Sequence, residues 1–196
     1  MTKQPSGLWI RSAQPADLRA LQSIETDAAR AFVAVGYDEV ATGEPLSRAL
    51  LARAQEEARL FVAGLPAKEV EPLGFVLCER RGTQGHVVEL SVRQAMQGRG
   101  LGRALMARAE RWALGHRLSR LTLTTFEAVP WNAPFYASLG FVRLDLAVDS
   151  DEGLVSNGDG SDEDALLTEA LRSERALFGE DRPRVAMAKA LPAAPS

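Results

Sequence analysis

Residues 86–114 read HVVELSVRQAMQGRGLGRALMARAERWAL: a β-branched run, a turn with three alternating glycines, and a helical pattern. A strand that empties through glycine into a helix leaves the first N–H groups of that helix without intrahelical partners, at the positive end of its dipole. Such a junction is an anion socket. Gly98, Gly100 and Gly102 alternate with Arg99, Leu101 and Arg103, so the turn lacks Cβ bulk where a phosphate would touch backbone and carries cations beside it. The helix behind it has its own periodicity. Leu101, Leu105, Ala109 and Trp112 recur on one stripe, which reads as core, with Arg103, Glu110 and Arg111 off the stripe and Arg108 at its edge.

The kind of phosphate ligand follows from what the turn lacks. A Walker loop places Lys-Ser/Thr after its last glycine, whereas Gly102 is followed by Arg103 and Ala104, so no hydroxyl is placed for a nucleotide-bound magnesium ion. A dinucleotide fingerprint needs an acidic residue about 20 positions on, where this chain has Leu121 to Thr125. What remains is Gln97-x-x-Gly100-x-Gly102, which resembles the acetyl-CoA pyrophosphate loop of the GNAT superfamily of N-acetyltransferases. In PWNAPFYASLGFVRL (130–144), Asn132, Tyr136 and Leu139-Gly140-Phe141 match the other signature of that superfamily, in the right order and one helix and one strand further on.

The rest of the chain reads in a compatible order. Leu8 to Arg11 is a short strand, and Pro15 with Asp17 opens a helix carrying Leu18, Leu21, Ile24, Ala28 and Phe32, ended by Gly36. A turn at 42–45 leads to a second helix with Leu46, Ala49, Leu50 and Arg53, then strand LFVAG (60–64). Pro66 and 68–71 read as a reversal. Strand 72–80 turns at 81–85 into 86–92, so three successive strands are expected to be antiparallel. Helix, strand, helix and strand follow. The acidic Gly/Ser/Asn stretch 149–164 has little to bury and is expected to be a mobile surface insertion. Helical spacing resumes from Ala165, and Arg184 to Leu191 reads as a last strand. The resemblance implies an α/β (α+β) fold with a mixed, mostly antiparallel central sheet, splayed in the middle to admit the pantetheine arm, and helices on both faces. One domain is expected over 8–191, with flexible termini at 1–7 and 192–196.

Composition excludes several function classes. With 196 residues, 46% hydrophobic and 25% charged, the chain can bury one sizeable core and is not of disordered type. A net charge of −3 argues against a general nucleic-acid or anionic-membrane binder. Cys78 is alone and the only histidines are His86 and His116, so neither an intrachain disulfide nor a structural metal site is expected. No apolar stretch reaches ~18 residues and MTKQPSGLW has no hydrophobic signal core, so a cytoplasmic location is expected.

The resemblance implies acetyl transfer from acetyl-CoA, as cosubstrate and without metal, to a primary amine in a ternary complex. The amides of Gln97, Gly98, Arg99, Gly100, Leu101, Gly102 and Arg103 would face the pyrophosphate, and the backbone N–H groups of Leu90 and Val92 would orient the thioester. Asn132 resembles the residue that meets the pantetheine region; a helix cap is its other reading. An ammonium with a pKa of about 10 must lose a proton before it attacks. Glu89, which interrupts an apolar strand, is the expected base, against a plain role on the strand's polar face. Glu127 is the second choice of base, and Tyr136 matches the tyrosine that returns a proton to the CoA thiolate, against a role as core aromatic. Glu25 and Phe32 are expected to border the acceptor. A small-molecule amine acceptor is preferred to a protein N-terminus or lysine. The competing class is an acyl-CoA sensor with little turnover, which would need the glycine loop but neither Glu89 nor Tyr136. No nucleic-acid or membrane partner is expected, and the chain is expected to be a monomer or homodimer.

Overall fold

A computed structural model describes residues 7–66, 71–146, 162–179 and 181–192. They form strands β1 (Trp9–Ser12), β2 (Leu60–Gly64), β3 (Gly74–Arg81), β4 (Gln84–Val92), β5 (Arg120–Phe126), β6 (Val142–Arg143) and β7 (Arg184–Ala190). The helices are α1 (Leu18–Ala29), α2 (Asp38–Thr42), α3 (Arg48–Glu56), α4 (Leu101–Gly115), α5 (Asn132–Ala137) and α6 (Asp162–Phe178). The strands make one seven-stranded sheet in the order β1-β2-β3-β4-β5-β7-β6. Neighbours β1–β2, β2–β3, β5–β7 and β6–β7 are antiparallel, and β4–β5 is parallel from Gln84↔Arg120 to His86↔Thr122. This is the mixed, mostly antiparallel sheet with helices that was expected. The chain packs as two compact units, Met1–Glu79 with Val87–Trp112, and Arg80–His86 with Ala113–Ser196.

In the first unit β2 is buried at all five positions, because helices cover both of its faces. Leu60 and Val62, with Phe75 and Leu77 of β3, join Leu18, Leu21 and Ile24 of α1 and Leu51 and Ala54 of α3 in one core. Phe61, of opposite parity, carries the guanidinium of Arg108 from α4 at 3.8 Å from its ring centroid. The α4 stripe Leu101, Leu105, Ala109 and Trp112 is buried, and Ala104 and Met106 widen it. The start of α1 is fixed by Asp17, whose carboxylate takes Arg11 Nη1 at 2.6 Å, Arg11 Nη2 at 2.8 Å and the Gln14 N–H at 2.7 Å. Burial pushes that carboxyl's pKa up, but Arg11 and the Gln14 amide outweigh it and hold it below the ordinary value.

The element boundaries differ from expectation for local reasons. The apolar spacing of α1 runs on to Phe32, but the helix ends at Ala29 and tightens into a 3₁₀ segment, Arg30–Val35, before Gly36 stops it at φ +77°. The tighter winding takes Phe32 off the 3.6-residue stripe, and it is only half-buried, as is Ala28 in the last turn of α1. Helix α2 was not expected; its five residues are too few to show a period. Helix α3 starts at Arg48, not Leu46, because the Ser47 side chain accepts the Leu50 N–H at 3.2 Å and caps it. Helix α6 begins at Asp162, inside the stretch expected as an insertion. Residues 149–161 of that stretch lie outside the described residues.

In the second unit β5 pairs with β7 along its full length, from Arg120↔Ala190 to Phe126↔Arg184. Arg184 Nε meets Glu174 of α6 at 2.7 Å, Thr124 donates to the same carboxylate at 2.7 Å, and the Arg184 guanidinium lies over the Phe126 ring at 4.3 Å. His86 is buried beside Thr122, Nδ1 to Oγ1 at 3.0 Å, while Thr122 donates to the Gly85 carbonyl at 3.1 Å. Since the Thr122 hydroxyl proton is committed to Gly85, His86 donates from Nδ1.

Candidate active site

The glycine turn is built as an N-terminal socket. After β4 comes a 3₁₀ turn, Gln94–Met96, and the chain then passes through Gly98 at φ +72° and Gly100 at φ +87°, backbone conformations that L side chains rarely adopt. A Cβ on Gly98 would meet nothing within 4 Å, so conformation alone requires glycine there. Ala104 N–H donates to the Gly100 carbonyl at 3.0 Å as the first bond of α4, which leaves the Leu101 and Gly102 amides in the first turn, where no intrahelical acceptor exists. Gly102 is helical, so its use differs from that of the other two. The Gln97 side chain folds back and donates to the Val92 carbonyl at 3.1 Å, and Asp27 of α1 accepts the Gln94 N–H at 2.9 Å. These two bonds tie the loop to β4 and α1. Arg99 and Arg103 are exposed.

Two of the expected site carboxylates act on each other in the same unit. Glu89, half-buried on β4, accepts the Ser91 hydroxyl at 2.6 Å. Glu25 on α1 accepts the Leu46 N–H with both oxygens, each at 3.1 Å. Burial first, and the charge of Glu89 second, push the Glu25 pKa up to about 7 against the pull of the Leu46 amide. A carboxylate beside a carboxyl group that titrates near neutrality makes a place suited to taking a proton from an ammonium. Phe32 lies half-buried with its ring 6.4 Å from that of Tyr37. Leu90 is half-buried and Val92 is buried near the end of the same strand. Ser91, Asp27 and Gln22, whose side chain donates to the Leu46 carbonyl at 3.0 Å, were not anticipated; each is a common polar residue whose importance comes from a partner distant in sequence or from a side-chain rotamer.

The second unit holds Glu127, Asn132 and Tyr136. Glu127 is exposed and ion-paired with Arg143 of β6. Asn132 is the first residue of α5, and its N–H donates to the Val129 carbonyl at 3.1 Å; Trp131 occupies the cap position, so the cap reading of Asn132 is not the one observed. Tyr136 is half-buried with its ring 5.1 Å from Phe135 and 6.0 Å from Phe141. The Leu139-Gly140-Phe141 trio ends α5: Gly140 takes φ +90°, Gly140 N–H bonds the Ala137 carbonyl, and Phe141 N–H bonds the Tyr136 carbonyl at 3.2 Å. That stop buries Phe141 to 2% exposure. Among the described residues, no cluster of three His, Cys, Asp or Glu could hold a metal ion, and no helix is long and apolar enough to cross a membrane.

Solved structures share this architecture. The Rv2747 protein of Mycobacterium tuberculosis, solved in complex with CoA, aligns over 94% of this chain and 99% of its own at 19% identity and TM-score 0.66. The ribosomal-protein-S18-alanine N-acetyltransferase of Escherichia coli aligns over 96% and 97% at 18% identity and TM-score 0.61. The paia N-acetyltransferase of Thermoplasma acidophilum, in complex with coenzyme A, aligns over 94% and 99% at 14% identity and TM-score 0.63. These likenesses define a fold. The family follows from the sequence match: the Acetyltransferase (GNAT) family model fits residues 18–141, and the chain belongs to that family.

Proposed function

We propose that this protein is an N-acetyltransferase that moves the acetyl group of acetyl-CoA directly to a primary amine of a small molecule in a ternary complex. The observation that carries the reading is that Glu89 stands close enough to Glu25 to help raise that carboxyl's pKa to about 7, in the same unit as the glycine loop. A sensor that only held acyl-CoA would have no use for such a pair. In this reading the amides of Gln97 to Arg103 receive the pyrophosphate, with Arg99 and Arg103 adding charge from outside. The N–H groups of Leu90 and Val92 meet the thioester carbonyl and its developing oxyanion. Glu89 draws the proton from the ammonium, directly or through water, and Tyr136 returns one to the departing thiolate. Asn132 is assigned to the pantetheine arm. Glu127 is the weaker candidate for base, since Arg143 already occupies its carboxylate. Residues 8–191 act as one catalytic domain in the cytoplasm.

The test is an amine panel that includes small amines, polyamines, amino acids and peptide N-termini, followed by release of free CoA, with calorimetric titration of acetyl-CoA alongside. Turnover on small amines with micromolar acetyl-CoA binding is the expected result. Turnover on peptides alone would reassign the acceptor, and tight acetyl-CoA binding with no turnover on any amine would establish the sensor.

A further inference from the structure

Near its end β4 reads Val87 to Val92, an apolar run broken by Glu89 and Ser91. Side chains two apart on a strand share a face, and these two meet: the Ser91 hydroxyl donates to Glu89 Oε1 at 2.6 Å. That length is typical of a hydroxyl bonded to an ionised carboxylate. Ser91 is only 4% exposed, so its hydroxyl is shut away from water and must find its partner within the protein. The partner is the side chain assigned above as the base.

Packing alone does not ask for serine at position 91. Alanine or valine would fill a buried strand position with no hydroxyl to satisfy. What the hydroxyl adds is felt at Glu89, whose long side chain has several rotatable bonds and loses that freedom when its end is tied down. A base held in advance in the working orientation has less freedom to give up when the acceptor arrives. The donated proton also favours the ionised carboxylate, against the repulsion between Glu89 and Glu25 of α1.

We propose that Ser91 is a positioning residue for the base: its hydroxyl fixes the Glu89 carboxylate in the orientation from which it takes the proton of the acceptor ammonium. The inference rests on the acetyltransferase reading above, with Glu89 as base. One proton passes from the ammonium nitrogen to Glu89, the electron pair of that N–H bond stays on nitrogen to attack the thioester, and Ser91 keeps its own proton throughout. The acetyl-CoA loop is tied down by other bonds, Gln97 to Val92 and Gln94 to Asp27, so removing one hydroxyl should leave the cofactor site alone.

The experiment uses the full chain with the best amine from the panel. Ser91→Ala should lower kcat about tenfold, leave the calorimetric Kd for acetyl-CoA within about twofold of the parent, and move the acidic limb of kcat/KM to higher pH, because ionised Glu89 has lost a donor. Ser91→Thr keeps a hydroxyl and should recover most of the loss. A double-variant cycle decides between positioning and mere structure. If Ser91 works through Glu89, then Ser91→Ala added to Glu89→Gln should cost less than about twofold more, whereas a structural serine costs the same in either background. Parental kcat and acidic limb in Ser91→Ala overturn the inference, as do equal losses in both backgrounds. Should Ser91→Ala fold poorly, Ser91→Cys, with a similar shape and a weaker donor, decides on the same readouts. A parent that acetylates no amine sinks the acetyltransferase reading, and a near-parental Glu89→Gln sinks the base assignment, each taking this inference with it. An active parent with a crippled Glu89→Gln and an unaffected Ser91→Ala sinks this inference alone.

Discussion

Glu89 and Tyr136 are the residues on which the proposed chemistry turns, and both act after the ternary complex has formed. Their loss should therefore lower turnover much more than acetyl-CoA affinity. Glu89→Gln keeps the shape of the side chain, and most of its bond to Ser91, but removes the base; kcat/KM should fall about 10²-fold and the acidic limb of its pH profile should flatten. Tyr136→Phe keeps the ring against Phe135 and Phe141 and should lower kcat by a similar order, about 10²-fold. Glu127→Gln should stay near the parent, because an exposed ion pair with Arg143 contributes little and holds that carboxylate away from other work. Steady-state kinetics on the three variants separates the candidates. A near-normal Glu89→Gln beside a crippled Glu127→Gln would move the base to Glu127, and three active variants would mean that solvent takes the proton and the enzyme works chiefly by positioning. Cys78 plays no part at this scale: burial raises its thiol pKa to about 12, which leaves it inert.

At the scale of elements, α4 makes the sharpest prediction because Gly102 sits in its first turn with helical backbone. Unlike Gly98 and Gly100, it has no left-handed conformation to protect, so alanine there is the better helix former by about 1 kcal/mol. Gly102→Ala should leave the fold intact with an equal or higher Tm and acetyl-CoA affinity near the parent's, whereas the branched side chain of Gly102→Val, beside the amide that must approach the phosphate, should cost at least about tenfold in affinity. Calorimetry and a thermal melt on the same samples check both halves, and parental affinity in Gly102→Val would remove the loop from the cofactor site. The same helix shows why some elements were legible in sequence. Leu101, Leu105, Ala109 and Trp112 repeat a period over fifteen residues, and β2 announces itself by an unbroken apolar run. Five-residue α2 and two-residue β6 are too short to carry a period, and α1 lost its last turn to 3₁₀ winding that apolar spacing does not record. Of the candidate site, the glycine loop and Glu89 stand out in sequence because each breaks a local pattern. The clasp of Gln22 and Glu25 on Leu46 was not, since it joins ordinary residues more than twenty positions apart through a main chain.

Over the whole molecule, two buried groups and one half-buried group, of opposing sense, shape the dependence of stability on pH. His86 is held neutral, its pKa lowered to about 3 first by burial and then by the charge of Arg81. As pH falls below its ordinary 6.5, the unfolded chain takes a proton that the folded chain refuses, so stability is lost progressively toward pH 3. Asp17, held below its ordinary 3.8, acts in the same sense: the stability it contributes is present above that value and lost as pH falls through its folded value. Glu25 runs the other way. Its folded pKa is raised from 4.5 to about 7, so its contribution is fully present below 4.5 and lost as pH rises through 7. Between 4.5 and 6.5 the slopes from His86 and Glu25 oppose, and the melting temperature should be nearly flat; below 4.5 Glu25 no longer compensates, and His86 and Asp17 together should bring a steep fall. Glu25→Gln removes one arm of this balance. Its Tm should climb across the window where the parent is flat, and the gap between variant and parent should widen from pH 4.5 to about 7 and level off above it, as glutamine escapes both the burial of charge and the repulsion from Glu89. Thermal melts of parent and variant across that range check the argument; a variant curve parallel to the parent's at every pH would mean that Glu25 titrates alike in the folded and unfolded chains, and that the charge it shares with Glu89 is already relieved by solvent.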